Sequence, residues 1–542
     1  MRRTSLRSKP WQLGWALLAL ASVWPAAAGA AEVTVNANAA RPPAEAPALE
    51  MKDDAIQLSL ERAVEIAIGQ NLGLVVERYN RMQRRLAITQ SLGIYDLLAN
   101  ASLRATDEKS ATLSAIEASE SNSQSGGFSF TQLVPTGGSV SFGWDGSRTE
   151  SNAQIFEAST FYDSGARFSF SQPLLQDFGR LATERGITVA RTNSRISRQE
   201  LERQVTTTVQ QVVDAYWNLV GARQQLVVAQ QSLELARELH ERNRIQVEVG
   251  TLAPLEMVQS EAAIASREED IIRATSAIGD AEDVLRQLLN LPAGELWSKP
   301  IQPTTAPQTE RVAINVDEAI ATALAERPEL RTEELRVAQA RLDAEFFRGQ
   351  LKPTLGLTVD YGFSGVGLKF SDAFNQVTGL DFRGWEARLV LAYPIQNRAA
   401  RAQSASANLG AEQAQTVLDQ QKTTIATEVR RAARAVETAA KQIDAARVSR
   451  EFQEKNLDAE RKRYENGMST AFQITQIQED VTQARSNEVT ATITYRTALA
   501  EYYRAIGRLL EQHDVGIDDP EDPDYASQRF SFSRAPLPGE GK

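Results

Sequence analysis

The sequence QVVDAYWNLVGARQQLVVAQ at residues 211–230 has a counterpart 217 positions later, EVRRAARAVETAAKQIDAAR at residues 428–447. Apolar and small residues occupy matching positions in both copies, and the offset stays constant over about 80 residues, whereas chance similarity would drift through insertions. The constant offset indicates a duplicated unit. We therefore predict two structural repeats, residues 55–291 and residues 314–511, each with a helix, strands and a long helical hairpin.

The two copies have the residue spacing of long helices. Apolar residues recur at steps of three and four, as in a coiled coil, and many of them are alanine, which permits close helix contact. This pattern predicts helices from about Leu181 to Val249 and from about Arg398 to Asn466, each roughly 100 Å long. Each is predicted to turn at a glycine, Gly250 or Gly467, and to return as a shorter helix. Helices of that length exceed any globular core, so we expect a tall bundle.

Strands are predicted between the opening helices and the long helix of each repeat, because apolar and polar residues alternate there with period two. The alternating apolar positions are Leu355, Leu357, Val359 and Tyr361; Trp385, Ala387, Leu389, Leu391 and Tyr393; Ala99, Ala101 and Leu103; Phe128 and Phe130; Val140, Phe142 and Trp144; and Phe168 and Phe170. The first repeat thus has an extra pair of strands, joined by a tight turn at residues 135–138. Four or six strands per chain remain open at this point.

The ends of the chain and the link between the repeats differ in composition from the rest. Basic residues, an apolar run and then small residues predict a signal peptide over residues 1–30, followed by a flexible Ala/Pro-rich leader over residues 31–54. Residues 292–313 are predicted to be a Pro-rich connector. The acidic residues 512–542 are predicted to be a disordered tail.

Composition argues against several classes of function. The chain has 70 acidic and 59 basic residues, a formal net charge of -11, which argues against nucleic acid as a partner. It has no cysteine, which excludes disulfides and thiolate chemistry. The two histidines, His240 and His513, are far apart in the sequence, so they form no local cluster for base catalysis or metal binding. We expect no enzyme activity, no cofactor and no metal site.

The mode of membrane crossing follows from the apolar pattern. After the signal peptide, no segment approaches the roughly 18 consecutive apolar residues that a spanning helix needs, so strands must make any crossing. Strands in lipid must close into a barrel, and known bacterial barrels start at about eight strands. One chain has too few, so several copies must share a barrel. Three copies would supply twelve or eighteen strands.

The ordered elements resemble the TolC-type outer-membrane efflux proteins over roughly residues 55–511. The resemblance rests on the duplicated openings at residues 60–67 and 316–323, on Gln172-Pro173-Leu174-Leu175 after the first strand region, and on the two long hairpins. It implies an α+β membrane protein: a homotrimeric β-barrel in the outer membrane, with four or six strands per chain, continued by a long periplasmic α-helical coiled-coil barrel.

The resemblance also implies a function, a location and partners. The protein would be a passive exit duct in the Gram-negative cell outer membrane, in contact with outer-membrane lipid. A periplasmic adaptor (membrane fusion) protein would join it to an inner-membrane efflux pump or ABC transporter, in a tripartite efflux or type I secretion system. Energy and substrate choice would belong to the pump.

Two sets of site residues follow from the resemblance at the hairpin turns. In the family, Val-Gly-containing turns are where the adaptor docks. Val249, Gly250, Thr251 and Leu252 of the first turn match this pattern, whereas the second turn, with Gly467 and Met468, keeps only the glycine. The alternative interpretation is that each glycine only ends a helix in the left-handed conformation.

The resemblance places a gate on the second return helix. Family members often have two acidic residues one turn apart there, forming a cation-binding ring, but this chain has Gln473 and Gln476. Asp480 lies one turn further, and Gln483 and Asn487 continue the same polar face, so Asp480 could supply the charge of a lumen ring. The alternative is an ordinary solvated helix face.

A latch at the periplasmic mouth is the last site that the resemblance implies. Glu256 and Tyr464 occupy the positions at which the family links neighbouring helices to hold the mouth shut. The expected basic partner is replaced by Ser469, and Arg461 and Arg463 are the nearest basic substitutes.

Two other functions use similar elements. A periplasmic coiled-coil adaptor also has a long hairpin, but it has one hairpin between halves of small β-domains, whereas this chain has two hairpins and alternating strands. A structural outer-membrane barrel without transport is the other alternative. Conductance across a bilayer would separate that barrel from a duct.

Overall fold

The structure is a computed structural model that describes residues 50–516 except 53, 110, 112–117, 153–158, 251, 293 and 467. The predicted signal peptide, most of the leader and most of the tail lie outside the described residues. The main elements up to the link are β1 (Glu50–Lys52), β2 (Ala55–Leu58), α1 (Leu60–Gln70), α2 (Leu72–Leu92), β3 (Leu98–Lys109), β4 (Glu120–Leu133), β5 (Ser139–Ser151), β6 (Thr160–Pro173), α3 (Arg180–Thr183), α4 (Arg185–Glu248) and α5 (Pro254–Leu289).

The link and the second half repeat much of that order. The link has α6 (Glu295–Ser298) and β7 (Ile301–Pro303). The second half has α7 (Val316–Glu326), α8 (Pro328–Gly349), β8 (Thr354–Gly367), α9 (Phe370–Thr378), β9 (Phe382–Ala392), α10 (Arg398–Glu465), α11 (Ala471–Ala505) and α12 (Leu509–Gln512). Helices, strands, a long helix and a shorter return helix therefore occur in this order in both halves.

Local chemistry sets several of the helix starts. The side chain of Ser59 accepts a hydrogen bond from the backbone N–H of Arg62 at the start of α1, and Asn71 caps α2 in the same way. Pro254 and Pro328 begin α5 and α8, at the first helical position, where the missing N–H costs nothing.

The long helices lie where the coiled-coil spacing predicts them. α4 has 64 residues and α10 has 68, which correspond to lengths of about 96 and 102 Å. The four hairpin helices form a row in which α5 packs on α4, α4 packs on α11 and α11 packs on α10. α5 and α10 are therefore the two ends of the row.

Two apolar cores lie along the long helices, at matching positions of the two halves. One core surrounds α4 and contains Trp217, and the other surrounds α10 and contains Ile425. Leu219 and Val436, which are related by the constant offset, are each at most 2% exposed. The shared sequence pattern therefore marks the core-facing side of both helices.

A small sheet near the start of the described chain was not predicted from the sequence. Its strand order is β1-β2-β7, and β2 pairs with β7 in parallel, which fixes the connector against the first half. Tyr216 of α4 is fully buried beneath it: its hydroxyl donates to the carbonyl of Leu58 at 3.1 Å and accepts from the backbone N–H of Thr305 at 2.9 Å. One side chain thus joins strand, connector and long helix.

The main sheet contains six described strands in the order β3-β4-β5-β6-β8-β9, and each strand is antiparallel to its neighbours. β4 and β5, the extra pair, lie inside the sheet between β3 and β6, so all six predicted strands belong to one sheet. The turn between them is tied to the end of β6, because the Gln172 side chain bonds the Thr136 hydroxyl at 2.6 Å and the Thr136 carbonyl at 3.0 Å.

The helix α9, between β8 and β9, was also missed by the sequence analysis. Its apolar residues Phe370, Ala373, Phe374 and Val377 have helical spacing, but the helix has only nine residues. A helical period needs a window of about 11 residues or more before it stands out. α9 packs against β8 and β6.

We expect Tyr216→Phe to lower the thermal midpoint of unfolding of the detergent-solubilised protein, measured by circular dichroism. The change removes the hydroxyl that bonds the Leu58 carbonyl and the Thr305 N–H, and each such hydrogen bond contributes about 0.5–1.5 kcal/mol. The matched control is Tyr393→Phe, at a side chain that is exposed in the isolated chain. Equal midpoints for the two variants would contradict the assignment.

Candidate functional site

The two faces of the main sheet have opposite chemistry, because directly paired residues on adjacent strands share a face. The apolar face is defined by Ala99, Ala101, Leu103, Phe128, Phe130, Val140, Phe142, Trp144, Ala166, Phe168, Phe170, Leu355, Leu357, Val359, Tyr361, Phe363, Trp385, Ala387, Leu389 and Leu391. The middle of the polar face is defined by Asn100, Ser102, Arg104, Ser125, Gly127, Ser129, Ser141, Gly143, Asp145, Gly165, Arg167, Ser169, Thr358, Asp360, Gly362, Glu386 and Arg388.

Large side chains of the apolar face are exposed. Trp385 is 75% exposed, Leu391 is 65% exposed and Phe168 is 51% exposed. Aromatic rings contact one another across the strands, as Phe142 and Phe168 do with ring centroids 4.7 Å apart. A contiguous exposed apolar surface of this extent marks a contact with lipid or another protein. The alternation predicted from the sequence therefore produces one apolar wall and one polar wall.

The edges of this sheet are open. β3 and β9 each have a single neighbouring strand among the residues that the structure describes. Every residue of β3 and β9 is exposed in the chain by itself. Each edge strand therefore presents a row of backbone N–H and C=O groups without a strand to pair with.

The first hairpin turn ends α4 with a glycine in a left-handed backbone conformation. Gly250 has a φ of 80°, and its N–H donates to the carbonyl of Val247 at 3.0 Å, while Leu252 N–H donates to Gln246 at 3.3 Å. Any other residue would be strained at this φ, so helix termination alone explains the glycine. A Cβ at Gly250 would meet no atom within 4 Å, which leaves room for contact with another molecule. Thr251 lies outside the described residues.

The second turn ends α10 similarly. Met468 N–H donates to the carbonyl of Arg463 at 2.9 Å, so a backbone hydrogen bond joins this turn to the last turn of α10. Gly467 itself lies outside the described residues. Thr470 then caps α11 by accepting a hydrogen bond from the backbone N–H of Gln473.

The hairpin tips expose apolar side chains. Val249 and Phe472 are each 67% exposed, and Leu255, Val258 and Met468 are each at least 60% exposed. Leu252 is half-buried. Exposed apolar residues grouped at the end of a charged bundle are typical of a contact surface. Of these, Leu255, Val258 and Phe472 were not identified from the sequence.

The predicted latch residues lie together, but they are not bonded to each other. The Tyr464 hydroxyl donates to Asn243 Oδ1 of α4 at 2.6 Å and lies 3.1 Å from Gln246 Oε1. Burial raises the pKa of Tyr464 above its usual value, and the nearby carboxylate of Glu256 raises it further. Tyr464 therefore stays protonated and can donate. Among the described residues, Glu256 Oε2 is a buried atom without a hydrogen-bond partner.

Asn243 is the partner that the sequence analysis missed. It is fully buried, and its Nδ2 has no hydrogen-bond partner within the described part of the chain. It follows Ala236 and Leu239 at steps of three and four, so it occupies a core position of the coiled coil. A polar residue at such a position was the signal that could have identified it.

The basic substitutes near the latch make other contacts. Arg461 lies 3.4 Å from Glu238 of α4, whereas Arg463 pairs within its own helix with Glu460 at 3.1 Å. Ser469 also donates to Glu460, so its hydroxyl fixes the second turn to α10. The Arg461–Glu238 pair is partly exposed and contributes little energy, and the Arg463–Glu460 pair lies within one helix. The buried Tyr464 contact is therefore the stronger link between the two hairpins.

The predicted polar stripe of α11 is present. Gln473 and Gln476 are exposed and Asp480 is half-buried, while the opposite side of the helix carries Ile474 and Val481, which are buried. Further along the stripe, Gln483 Nε2 donates to Asn487 Oδ1 at 2.8 Å. These residues share one side of α11 that faces away from the helix row.

Within the described ranges, no group of three or more His, Cys, Asp or Glu residues could hold a metal ion. His240 instead contacts Ser260 at 2.9 Å, between α4 and α5. None of the described helices combines the length and the apolar character needed to span a membrane.

Comparisons with known proteins agree with this arrangement. The sequence matches the family described as outer membrane efflux protein over residues 131–291 and 319–508. The pyoverdine export outer membrane protein OpmQ of Pseudomonas putida is 25% identical over 394 residues, which are 68% of this chain and 77% of that protein.

Solved outer-membrane channels have a similar fold. The CmeC outer membrane channel of Campylobacter jejuni superposes with a TM-score of 0.63 at 15% identity, over 87% of this chain and 89% of that one. The open state of the MtrE outer membrane channel of Neisseria gonorrhoeae superposes with a TM-score of 0.58 at 18% identity, over 86% and 98% of the two chains.

Proposed function

Because this chain belongs to the outer membrane efflux protein family, we propose that it is the passive outer-membrane exit duct of a tripartite efflux or type I secretion system. The family match confirms the resemblance predicted from the sequence, and it makes the protein a channel component of the outer membrane rather than an enzyme. The observation that carries the proposal is the main sheet, whose exposed apolar face suits lipid and whose polar face suits a water-filled lumen.

The duct would be a homotrimer. One chain leaves the edges of β3 and β9 open, and an open edge in hydrocarbon leaves several backbone groups without hydrogen bonds. Pairing β9 of one chain with β3 of the next would close the barrel, and three chains of six strands would give eighteen. The hairpin row also has two free ends, α5 and α10. The same threefold rotation would bring α10 of one chain against α5 of the next and form the periplasmic helical barrel. We also propose that the two halves are structural repeats.

Energy and substrate choice would come from partners. The sequence has no Walker-type phosphate loop, so the energy for export would come from an inner-membrane efflux pump or ABC transporter. A periplasmic adaptor would dock on the hairpin tips, where Val249, Leu255, Met468 and Phe472 expose apolar surface. The Tyr464 contact would keep the mouth narrow, because it joins α10 to α4 across the two hairpins.

Conductance tests the proposed function. The purified protein should form trimers by native mass spectrometry and produce stepwise conductance in planar lipid bilayers. Tyr464→Phe should raise the open fraction about fivefold, because it removes one hydrogen bond worth about 1 kcal/mol from the closed mouth. Tyr393→Phe, far from the tips, is the control. A trimer that never conducts would refute the duct, and unchanged gating in Tyr464→Phe would refute the latch alone.

Gly250→Leu tests adaptor docking. The variant should abolish export in a deletion strain while leaving trimer assembly intact, because the tip would present a large side chain and a strained φ where the adaptor docks. Val249→Ser separates the two causes, since it removes exposed apolar surface without strain. Gly279→Leu, on an exposed position of α5 with open space around it, is the control. Full export by both tip variants would exclude docking there.

Asp480→Asn tests whether the polar stripe of α11 lines the lumen. Loss of one carboxylate per chain should lower the cation-to-anion permeability ratio, measured as a shift in reversal potential under a salt gradient. Glu479→Gln is the control, because this neighbouring carboxylate points toward Arg267 of α5, 4.0 Å away. An unchanged reversal potential in Asp480→Asn would place the stripe outside the lumen.

A further inference from the structure

The short helix α9 lies on the apolar face of the main sheet. Its residues Phe370, Ala373, Phe374 and Val377 form one side, of which Ala373 and Val377 are buried against the strands. Its residues Ser371, Asp372 and Asn375 are exposed on the other side. α9 is therefore amphipathic, and its apolar side adjoins the wall that faces lipid in the proposed duct.

Glycines on the apolar face of β8 leave space for this helix. Along β8 the apolar face carries large side chains up to Phe363, and the next two positions on that face are Gly365 and Gly367. A Cβ at Gly365 would lie 2.1 Å from the carbonyl oxygen of Ala373, so only glycine allows the helix to sit this close. The backbone N–H of Val366 also donates to Gln376 Oε1 at 3.0 Å. These contacts fix α9 to β8.

Aromatic side chains contact one another where α9 packs on the sheet. Trp144 of β5 contacts Phe370 and Phe374 edge-on, with ring centroids 6.2 and 6.4 Å apart. The two phenylalanines stack on each other, yet they remain 44% and 40% exposed. The cluster therefore continues the exposed apolar surface beyond Phe363, the last large side chain of β8 on this face.

The position of α9 along the strands indicates its depth. The apolar side chains of β8 run from Leu355 to Phe363, which spans roughly 20 Å at about 2.5 Å of axial rise per residue for a tilted strand. An outer-membrane barrel has an apolar band about 25 Å tall, flanked by aromatic girdles. β8 begins at the end that adjoins the helices, so α9 lies at the opposite, outer end of the band.

Neither water nor hydrocarbon alone suits this helix. Two exposed phenylalanines would be costly in water, and the exposed Asp372 carboxylate would be costly within acyl chains. An amphipathic helix with both kinds of side chain is stable at the boundary between headgroups and acyl chains. We propose that α9 is an interfacial helix that inserts Phe370 and Phe374 into the outer leaflet and fixes the height of the barrel rim. This inference rests on the proposed membrane barrel.

The absence of cysteine from the sequence permits a direct test. Single variants Phe374→Cys, Leu389→Cys and Thr358→Cys are labelled with bimane, and the trimers are reconstituted in phosphatidylcholine brominated either near the headgroup or near the chain end. Leu389 lies on the apolar face within the band, and Thr358 lies on the polar face. The label at position 374 should be quenched most by shallow bromine, the label at 389 most by deep bromine, and the label at 358 by neither.

Each outcome has a separate meaning. If the label at 374 is quenched no more than the label at 358 while the label at 389 is quenched, α9 lies in water and the inference is wrong. If the label at 389 is not quenched either, the membrane barrel itself is wrong. Asp372→Cys, on the outward side of α9, should be quenched less than Phe374→Cys. Should Phe374→Cys fail to assemble, Phe370→Cys carries the same test.

Discussion

Backbone hydrogen bonding of the main sheet is the constraint on which the rest of the molecule depends. Among the described residues, the inner strands are paired on both sides, but β3 and β9 each have one open edge while the sheet exposes large apolar residues on one face. In the proposed membrane barrel, every unpaired backbone group would cost several kcal/mol, so one chain would need another copy to pair its edge strands. β9 leads into α10 through residues 393–397, so the open edge and one free end of the hairpin row belong to adjacent parts of the chain. In the proposed trimer, the sheet and the helix row would therefore close together.

Much of this architecture could be predicted from the sequence because its patterns are long. The alternating runs around Phe142 and Leu389 extend across whole strands, and the three-and-four spacing in α4 and α10 repeats over many turns, so local sequence and final fold agree. α9 could not be predicted, because a segment of nine residues between two strands is too short to show a helical period. The strands β1, β2 and β7 have three or four residues each, and they depend on a parallel pairing between residues far apart in sequence.

The candidate site was less predictable than the fold. Glu256 and Tyr464 were identified by resemblance, but the bond that Tyr464 makes goes to Asn243, 221 positions away, and it depends on how α10 meets α4. The interface between the long helices is apolar and rich in alanine, but near the tips it contains a buried polar cluster. In this cluster, Asn243 Nδ2 and Glu256 Oε2 lack partners among the described atoms. Partly satisfied polar clusters stabilise packing less than apolar contacts do, so we expect the helix row to be less stable at the tips than along its apolar cores.

The extra hairpin of β4 and β5 has a consequence for flow. Barrel diameter grows roughly in proportion to strand number, so eighteen strands instead of twelve would widen the bore about one and a half times and about double its cross-section. Hydraulic resistance falls steeply as a pipe widens. Cargo would therefore leave the outer end with little resistance. The rate of flow through the whole duct would be limited at its periplasmic mouth.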